Sequence, residues 1–375
     1  MHLYEGVLPP LIPILIGVFE TDYFHLGAVV TVFSYAFGLG SLPAGYLSDK
    51  VGPRRLITLF LFGSGLFAIL VWPTHSLLSY GVMMGFIGLF CSTYHPSSNT
   101  LLSLTIREKG KAFGVHGIAG SLGVAIVPGL SAWLGSAMGW KTPHILFGFL
   151  GIAAGLFSLS VPPRPEQDKT LAAAGKTQTP PKDISYIKLV AFFSSLMLLG
   201  LTYKGIMTFF PAYMGENVQL SFLKMDTVAL GGTVATIALL SGALGQYLAG
   251  RLSDLYKPEG LYLGTVVMGT LFVFLMTYCR NLLLILCAVL YAFFYFAVQP
   301  IQNYLLTLYL PRHRHGLGFG IHFFLTFGVG STSAIICGFL ADHFGLKSVF
   351  LAMGVCFILS CLAAWFLLMK SRDAR

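Results

Sequence analysis

Long apolar runs separated by short polar segments dominate this sequence. Their lengths are comparable to the roughly 20 residues that an α-helix needs to cross the hydrocarbon core of a bilayer. The runs lie near residues 3–18, 26–48, 56–73, 77–104, 113–138 and 142–161, and again near 187–215, 225–250, 260–278, 281–310, 316–341 and 345–369. The pattern predicts an all-α membrane protein with twelve transmembrane helices in two six-helix bundles.

A polar stretch rich in Pro, Lys and Thr separates the two sets of runs. It contains the sequences PPRPEQDK and TQTPPKD and is too short for a further domain. The predicted organisation is an N-terminal bundle over residues 1–161, a cytoplasmic linker over 162–186 and a C-terminal bundle over 187–375.

The composition excludes several other classes of protein. Hydrophobic residues make up 56% of the chain and charged residues only 10%, against about 25% charged residues in a soluble domain. The net charge of +9 does not indicate nucleic-acid binding, because the cations are scattered and form no basic stripe. Six cysteines lie within apolar runs without metal-ligand spacing. We therefore expect packing cysteines, no metal, no cofactor and no nucleic-acid partner.

The positions of Lys and Arg predict the orientation in the membrane. With the amino end inside, the inner loops and the tail hold eighteen cations and the outer loops hold four. Short cytoplasmic loops carry the excess of positive charge in membrane proteins. The count predicts a cytoplasmic (inner) membrane protein with both termini in the cytoplasm. The four outer cations are Lys141, Lys224, Arg280 and Lys347.

An internal repeat relates the two sets of runs. GYLSD ending at Asp49 recurs as GRLSD ending at Asp254, an offset of 205, and FGVH ending at His116 recurs as FGIH ending at His322, an offset of 206. HPSSN recurs as QPIQN at an offset of 204. An even number of spans separates the copies, so the two halves run parallel, as in transporters that bind substrate between their halves near the membrane midplane.

These residues resemble the major facilitator superfamily over essentially the whole chain. GYLSDKVGPRR is similar to the signature loop of that family between the second and third spans. The resemblance implies that Gly45 allows close helix approach, that Asp49 braces a cytoplasmic gate, and that Arg54 and Arg55 anchor the loop. The sequence REKGKAFG, which begins at Arg107 and opens the fifth span, also fits the family pattern.

The second copy of the signature keeps some of these residues. It retains Gly250 and Asp254 but has Lys257 and Pro258 where the later glycine would fall. Asp254 is therefore a further candidate gate residue.

A narrower resemblance concerns the fosmidomycin-resistance branch of drug and proton antiporters. HLYEGVLPPLIP at the start, YHP in the fourth span and GVHGIAGSLGVAIVPG in the fifth span are similar to that branch. The chain departs from the family's exporters late in the fifth span, where Val127 and not glycine precedes Pro128. The branch implies proton-driven efflux.

Two opposite charges within the spans are the main candidates for transport chemistry. Glu5 is the one acid within an apolar run that is neither in a loop nor at a helix end. The repeat aligns YEG at Tyr4 with YKG at Tyr203, so that Lys204 takes the matching position. A charge inside a span is costly and is a functional hypothesis by default. Glu5 is predicted to carry a proton while Lys204 binds substrate together with the two tyrosines. The alternative is a static ion pair between the halves.

Polar residues in the fourth and tenth spans are the remaining candidates. His95 is a second possible proton site because its ordinary pKa is near neutrality, or else it donates one interhelical hydrogen bond. The predicted lining of the substrate cavity is Tyr94, Asn99, Gln299 and Asn303.

A histidine pair near the predicted cytoplasmic side has two interpretations. His116 and His322 lie at matching positions of the fifth and eleventh spans. They either pair across the gate or, as we favour, pack near a polar boundary.

The pattern predicts a monomeric, proton-coupled secondary transporter that works by alternating access and exports a small amphipathic or anionic compound. Its expected partners are that solute, protons and membrane lipids. Uptake by symport is an alternative, and a transporter-like sensor or scaffold is another. An enzyme is not expected, because no nucleophile, base and orienting group occur at catalytic spacing. Glu5 has fewer apolar residues before it than Lys204, so we also expect the natural chain to begin further upstream.

Overall fold

The computed structural model describes residues 1–8, 11–21, 23–160, 185–219 and 227–372, and these ranges are helical and contain no strand. The first half contains α1 (His2–Gly6), α2 (Ile12–Phe19), α3 (Tyr23–Val51), α4 (Pro53–Ile69), α5 (Leu77–Cys91), α6 (Tyr94–Thr105), α7 (Lys109–Met138) and α8 (Thr142–Ser160). The second half contains α9 (Tyr186–Asn217), α10 (Thr227–Leu255), α11 (Pro258–Met276), α12 (Asn281–Tyr309), α13 (His315–Phe323), α14 (Thr332–Phe344) and α15 (Leu346–Arg372).

The helices confirm the predicted all-α membrane fold with twelve spans. Within the described ranges, nine helical segments are long and apolar enough to cross a membrane. The three remaining predicted spans are shorter or divided. The first is divided between α1 and α2, the third is the 17-residue α4, and the eleventh is interrupted between α13 and α14.

The interruption of the eleventh span differs from the continuous helix that the sequence predicts. A π-helical turn over Phe324–Gly328 and a 3-10 turn over Val329–Ser331 join α13 to α14. A Cβ atom on Gly330 would lie 2.9 Å from the carbonyl oxygen of Gly200 in α9. The span changes its helical pitch where a neighbouring backbone comes this close, and such π-turns often mark functional positions.

Short turns end the helices that precede α4 and α11, and the two repeats build them differently. Gly52 has φ +97° and is followed by Pro53 at the first position of α4. In the second copy Lys257 has φ −61° and is followed by Pro258 at the first position of α11. Proline suits that position because its missing N–H would have no partner within the helix. Only the first copy therefore needs glycine at this turn.

The described chain forms two compact units. One comprises the described residues of Met1–Thr105, Gly123–Asp183 and Leu310–Gly328, and the other comprises the described residues of Ile106–Leu122, Ile184–Tyr309 and Val329–Arg375. Each unit includes a segment from the other half of the sequence. The boundaries that we place at residues 161/162 and 186/187 stay a prediction, since residues 161–184 lie outside the described ranges.

Close backbone contact between α4 and α8 generates a test of the packing. A Cβ atom on Gly148 would lie 2.7 Å from Cγ1 of Ile69 and 2.8 Å from the carbonyl oxygen of Gly65. We expect Gly148→Leu to destabilise the protein by about 1–3 kcal/mol or more, because overpacking forces the two helices apart. Thermal unfolding of the purified protein in detergent measures the effect.

Gly264→Leu is the matched control, because a Cβ atom on Gly264 in α11 would meet nothing within 4 Å. Equal losses of stability in the two variants would contradict this account of the crossing.

Candidate functional site

The carboxylate of Asp49, near the end of α3, binds the amino-terminal end of α13. Its Oδ1 accepts a hydrogen bond from the amide of Gly316 at 2.7 Å, and its Oδ2 accepts one from the amide of Leu317 at 2.7 Å. These amides are the second and third of α13 and have no acceptor within the helix. A carboxylate here is also attracted to the positive end of the helix dipole. This attraction contributes about 0.3–1 kcal/mol to stability at an exposed site. We call this contact the Asp49 clamp.

Asp254, near the end of α10, makes the same contact with α7. Its Oδ1 accepts a hydrogen bond from the amide of Gly110 at 2.9 Å, and its Oδ2 accepts one from the amide of Lys111 at 2.8 Å. These are again the second and third residues of the helix that they begin. We call this contact the Asp254 clamp.

Glycines bring the clamped helices into backbone contact. A Cβ atom on Gly45 would lie 2.6 Å from Cα of Gly320, and one on Gly250 would lie 2.7 Å from Cα of Gly114. Real Cβ atoms do not approach other atoms this closely, so each crossing requires residues without a side chain. The predicted role of Gly45 in close helix approach has this contact as its physical basis.

The repeat relates the two clamps, although the sequence alone did not identify their partners. Gly110 and Gly316 are 206 residues apart, which is the offset of the repeat in this region. Each is the second residue of its helix. The sequence named the two carboxylates but missed the four amides, because backbone donors carry no side-chain signal. The paired glycines at the repeat offset were the one available hint.

The predicted basic gate residues lie at the starts of the spans next to the clamps. Arg54 is half-buried at the start of α4, Arg55 beside it is exposed, and Arg107 is exposed just before α7. The donors of both clamps are backbone amides and not these guanidinium groups.

Side chains before and at the start of α13 also bind the end of α6. The imidazole Nδ1 of His315 is 2.9 Å from Oγ of Ser103, and Arg312 donates a hydrogen bond to the carbonyl of Leu104 at 3.3 Å. His315 and Ser103 are both buried. These contacts fix the amino-terminal end of α13, where the Asp49 clamp acts.

Glu5 lies in a row of titratable side chains. Nδ1 of His2 is 3.1 Å from Oε2 of Glu5, and the ring of His2 is 5.7 Å from the ring of His95. His2 thus lies between the two residues that the sequence predicts for proton coupling. The sequence missed His2, although its spacing of three residues from Glu5 places both on one helix face.

Tyr4 lies in the core and is not beside Glu5 on a polar surface. Only 3% of its side-chain surface is exposed, and its hydroxyl donates a hydrogen bond to the carbonyl of Phe147 at 3.1 Å. This contact occupies the polar atom that a substrate would need. Its predicted role in substrate binding stays a prediction that the geometry does not favour.

Aromatic rings surround His95. Its ring stacks on Phe323 at 4.7 Å with an interplanar angle of 16°, and it meets Phe37 edge-on at 6.2 Å. Tyr94, the other predicted residue of this span, is 5.2 Å from the His95 ring and 4.8 Å from Phe60. Phe323 precedes the π-helical turn, so a change in that turn would move a ring that contacts His95.

Lys204 and Tyr203 lie in α9 beside the aromatic face of α12. Nζ of Lys204 is 5.9 Å from the centre of the Tyr203 ring. That ring stacks on Tyr295 at 5.8 Å, and the Tyr295 hydroxyl donates a hydrogen bond to the carbonyl of Leu199. The cation thus lies within cation–π distance of an aromatic ring.

Gln299 belongs to a chain of amide hydrogen bonds in the second unit. Oγ of Ser121 donates to Oε1 of Gln246 at 2.9 Å, and Nε2 of Gln246 donates to Oε1 of Gln299 at 2.9 Å. Of the other predicted lining residues, Asn99 in α6 is buried and Asn303 in α12 is half-buried. The sequence missed Gln246, because a single glutamine within a span gives no pattern.

The two histidines at matching repeat positions have different surroundings. His322 is 5% exposed and stacks on Phe323 at 4.7 Å, whereas His116 in α7 is half-buried. The contacts of His322 agree with packing, which is the alternative that we favour.

The described side chains offer polar and ionic groups for binding and no catalytic set. Among the described residues no cluster of three His, Cys, Asp or Glu side chains has the arrangement of a metal site. The first unit supplies the row of Glu5, His2 and His95, and the second supplies Lys204 and the amide chain at Gln299.

Comparison with known sequences gives the family. The Major Facilitator Superfamily profile matches residues 1–334 and 226–375. Over 361 residues the chain is 22% identical to the D-galactonate transporter of Escherichia coli O6:H1, covering 86% of this chain and 81% of the relative. It is 24% identical to the probable galactarate/D-glucarate transporter GudP of Bacillus subtilis, covering 86% and 79%. Identity to the probable L-galactonate transporter of E. coli K12 is 27%, but the chain spans only about half, 55%, of that relative.

Solved structures give the same fold at low sequence identity. The proton:xylose symporter XylE superposes with a TM-score of 0.79 at 14% identity, covering 97% of this chain and 92% of that one. The E. coli fucose:proton symporter FucP superposes with a TM-score of 0.71 at 16% identity, covering 98% and 96%.

These findings correct the narrower resemblance. The curated relatives named above are galactonate and galactarate/D-glucarate transporters and not drug antiporters of the fosmidomycin-resistance branch. The family consists of transporters, which confirms that the chain is not an enzyme. The twelve-span fold, the clamped helices and the profile that matches most of the sequence lead to one conclusion: the chain belongs to the Major Facilitator Superfamily and is a multi-pass membrane transporter.

Proposed function

We propose that this transporter takes up a small carboxylated solute of the sugar-acid kind together with protons, by alternating access. The observation that carries the proposal is that the curated relatives named above transport galactonate or galactarate and D-glucarate. Each of these compounds has at least one carboxylate and several hydroxyl groups. The described side chains include groups that match both.

Lys204 is the proposed partner of the solute carboxylate. Its ammonium group lies on the face of Tyr203 within an otherwise apolar span. A charge is retained within a span at a considerable free-energy cost, which function can justify. The amide chain that ends at Gln299 and the amide of Asn303 are the proposed partners of solute hydroxyl groups.

The row of Glu5, His2 and His95 is the proposed proton site. The carboxylate and the first imidazole are within hydrogen-bonding distance at 3.1 Å, and the second imidazole follows at a ring distance of 5.7 Å. Proton exchange along such a row requires side-chain rotations that bring the nitrogens of the two imidazoles together. Tyr4, whose hydroxyl is bound to Phe147, is assigned a packing role in this proposal.

The two clamps are the proposed cytoplasmic gate. Each joins a carboxylate near the end of one span to the first turn of another, through charge-assisted hydrogen bonds. Asp254 is exposed and Asp49 is half-buried, so water can replace the amides when a clamp breaks. Gate opening therefore requires both clamps to break, and neither is strong enough to prevent cycling.

We propose uptake, and not the export that the resemblance to the fosmidomycin-resistance branch implies. None of the curated relatives named above is a drug exporter, and both solved neighbours are named as proton symporters. We also propose an inner-membrane location with both termini in the cytoplasm, supported by the ratio of eighteen inner to four outer cations.

Glu5→Gln tests the proton role. We expect proteoliposomes with this variant to lose accumulation of labelled galactonate under an imposed pH gradient, because the amide cannot carry a proton. Exchange of labelled for unlabelled galactonate should persist, since it needs no net proton transfer. Glu20→Gln, at an exposed acid after α2, is the matched control. Unchanged accumulation in Glu5→Gln would rule out the coupling role. If the wild-type protein accumulates galactonate only under an outward proton gradient, that result would indicate export.

Lys204→Gln tests the anion role. We expect the KM for galactonate to rise about tenfold or more, because one charge-assisted hydrogen bond contributes about 1.5–3 kcal/mol. Lys188→Gln, on the same helix but near its start, should leave the KM unchanged. Initial rates of uptake against galactonate concentration measure both. An equal KM in wild type and Lys204→Gln would exclude the lysine from substrate binding.

Asp49→Asn and Asp254→Asn test the clamps, and each is the control of the other. We expect Asp49→Asn to accelerate amide hydrogen exchange in the peptide containing Gly316 and Leu317. Asp254→Asn should accelerate exchange in the peptide containing Gly110 and Lys111. Loss of the charge weakens each contact by about 0.3–1 kcal/mol, or roughly twofold to fivefold in exchange rate. Peptides that respond equally to both variants would contradict two separate clamps.

A further inference from the structure

A cavity of about 250 Å³ lies within the second unit, where α9 and α11 end and α15 begins. Two of the four cations of the predicted outer loops, Arg280 and Lys347, line it together with Glu216. The aromatic rings of Tyr213 and Tyr278 complete much of the wall. Half of the scarce positive charge of the predicted outer face therefore converges on one cavity.

The repeat mate of Lys347 shows how the first half uses the same position. Lys141 donates hydrogen bonds to the carbonyls of Trp72 at 2.7 Å and Thr74 at 2.8 Å. The residues at the repeat offset of 206 from these two are Tyr278 and Arg280. Lys141 thus ties its own half together by binding backbone carbonyls.

Lys347 is not used in this way. Its Nζ lies over the ring of Tyr278 at 4.6 Å, and within the described ranges it donates no hydrogen bond. Arg280 replaces the threonine of the first half and brings a second positive charge to the same cavity. Like charges that share a cavity repel each other, and the single carboxylate of Glu216 leaves a net charge of +1 on the lining. An anion would relieve this repulsion.

We propose that this cavity is a capture site for the carboxylate of the transported solute, separate from the site at Lys204. The inference rests on the proposed uptake of carboxylated solutes and names a second place on the chain that binds them. The two cations hold the carboxylate, and the tyrosine rings cover the carbon chain. The positive amino-terminal end of α15, which begins at Leu346, adds to the favourable potential.

The size and exposure of the cavity fit weak, transient binding of a small solute. Its volume is below the roughly 300–1,000 Å³ of pockets that hold drug-sized ligands, so it suits a solute of sugar-acid size. Arg280 and Lys347 are both exposed, so salt screens their attraction. Weak, salt-sensitive binding near a pathway raises the local concentration of an anion and its rate of entry.

Cys279 allows a direct test, because its partly exposed side chain lines the cavity. The purified full chain is treated with N-ethylmaleimide, and the rate of modification at Cys279 is followed by peptide mass spectrometry. We expect galactonate to slow this rate at least twofold in low salt and the uncharged galactitol to leave it unchanged. The double variant Arg280→Gln/Lys347→Gln should lose the protection, whereas Lys257→Gln, an exposed cation at the start of α11, should keep it.

Lys204→Ala separates this inference from the proposed function. Protection of Cys279 that persists in Lys204→Ala supports an independent site even if transport is lost. Protection that disappears in Lys204→Ala, or that is absent in wild type, overturns the inference while leaving the proposed function intact. Protection by phosphatidylglycerol micelles but not by galactonate would assign the cations to a lipid headgroup and also overturn it.

The transport consequence supplies a second readout. In cells, Arg280→Gln/Lys347→Gln should raise the KM for galactonate uptake about threefold to tenfold at low ionic strength. The maximal rate should stay unchanged, because solute at saturating concentration no longer needs capture. A KM equal to that of wild type at low ionic strength would overturn the role in capture.

Discussion

The contact between an aspartate carboxylate and the first amides of a helix is the constraint on which the rest of the structure depends. Helix ends are the positions of a membrane bundle where backbone groups remain without acceptors. In this transporter Asp49 satisfies the amides of α13 and Asp254 satisfies those of α7. Glycines beside each carboxylate let the backbones approach closely enough for these bonds to form. The packing of the clamped helices and the chemistry of the clamp are therefore one feature.

The same contact suits the alternating-access cycle that we propose. A carboxylate that binds two backbone amides needs no side-chain partner, so breaking it leaves no second buried charge. A buried pair of ionised side chains would cost several kcal/mol to separate. In the cycle that we propose, the clamps hold one arrangement and break in the other.

The duplicated architecture carries different chemistry in its two halves. In the alignment of the two halves, Glu5 and Lys204 occupy matching positions. Glu5 lies beside His2, and Lys204 lies beside Tyr203. Likewise, Lys141 binds carbonyls while its mate Lys347 lies over a tyrosine and lines a cavity. In the function that we propose, a common backbone thus carries the proton site in one unit and the anion site in the other.

The sequence by itself determined the spans, the repeat and the charged candidates. Hydropathy is a local property, and a bilayer permits only structures that satisfy their own backbone hydrogen bonds, so apolar runs of this length become helices. Charged residues are rare within spans, so the sequence alone also identified Glu5 and Lys204 as candidates. The narrower family assignment failed because short helix motifs such as YHP do not carry substrate identity.

The tertiary structure decided which groups meet. The partners of Asp49 and Asp254 are backbone amides, which every residue has, so no side-chain pattern could identify them. His2 beside His95, the hydroxyl of Tyr4 on a backbone carbonyl and the break in the eleventh span all depend on the approach of a second helix. Long-range packing selects these contacts, and it is the one kind of information that a linear pattern of hydrophobic and polar residues does not contain.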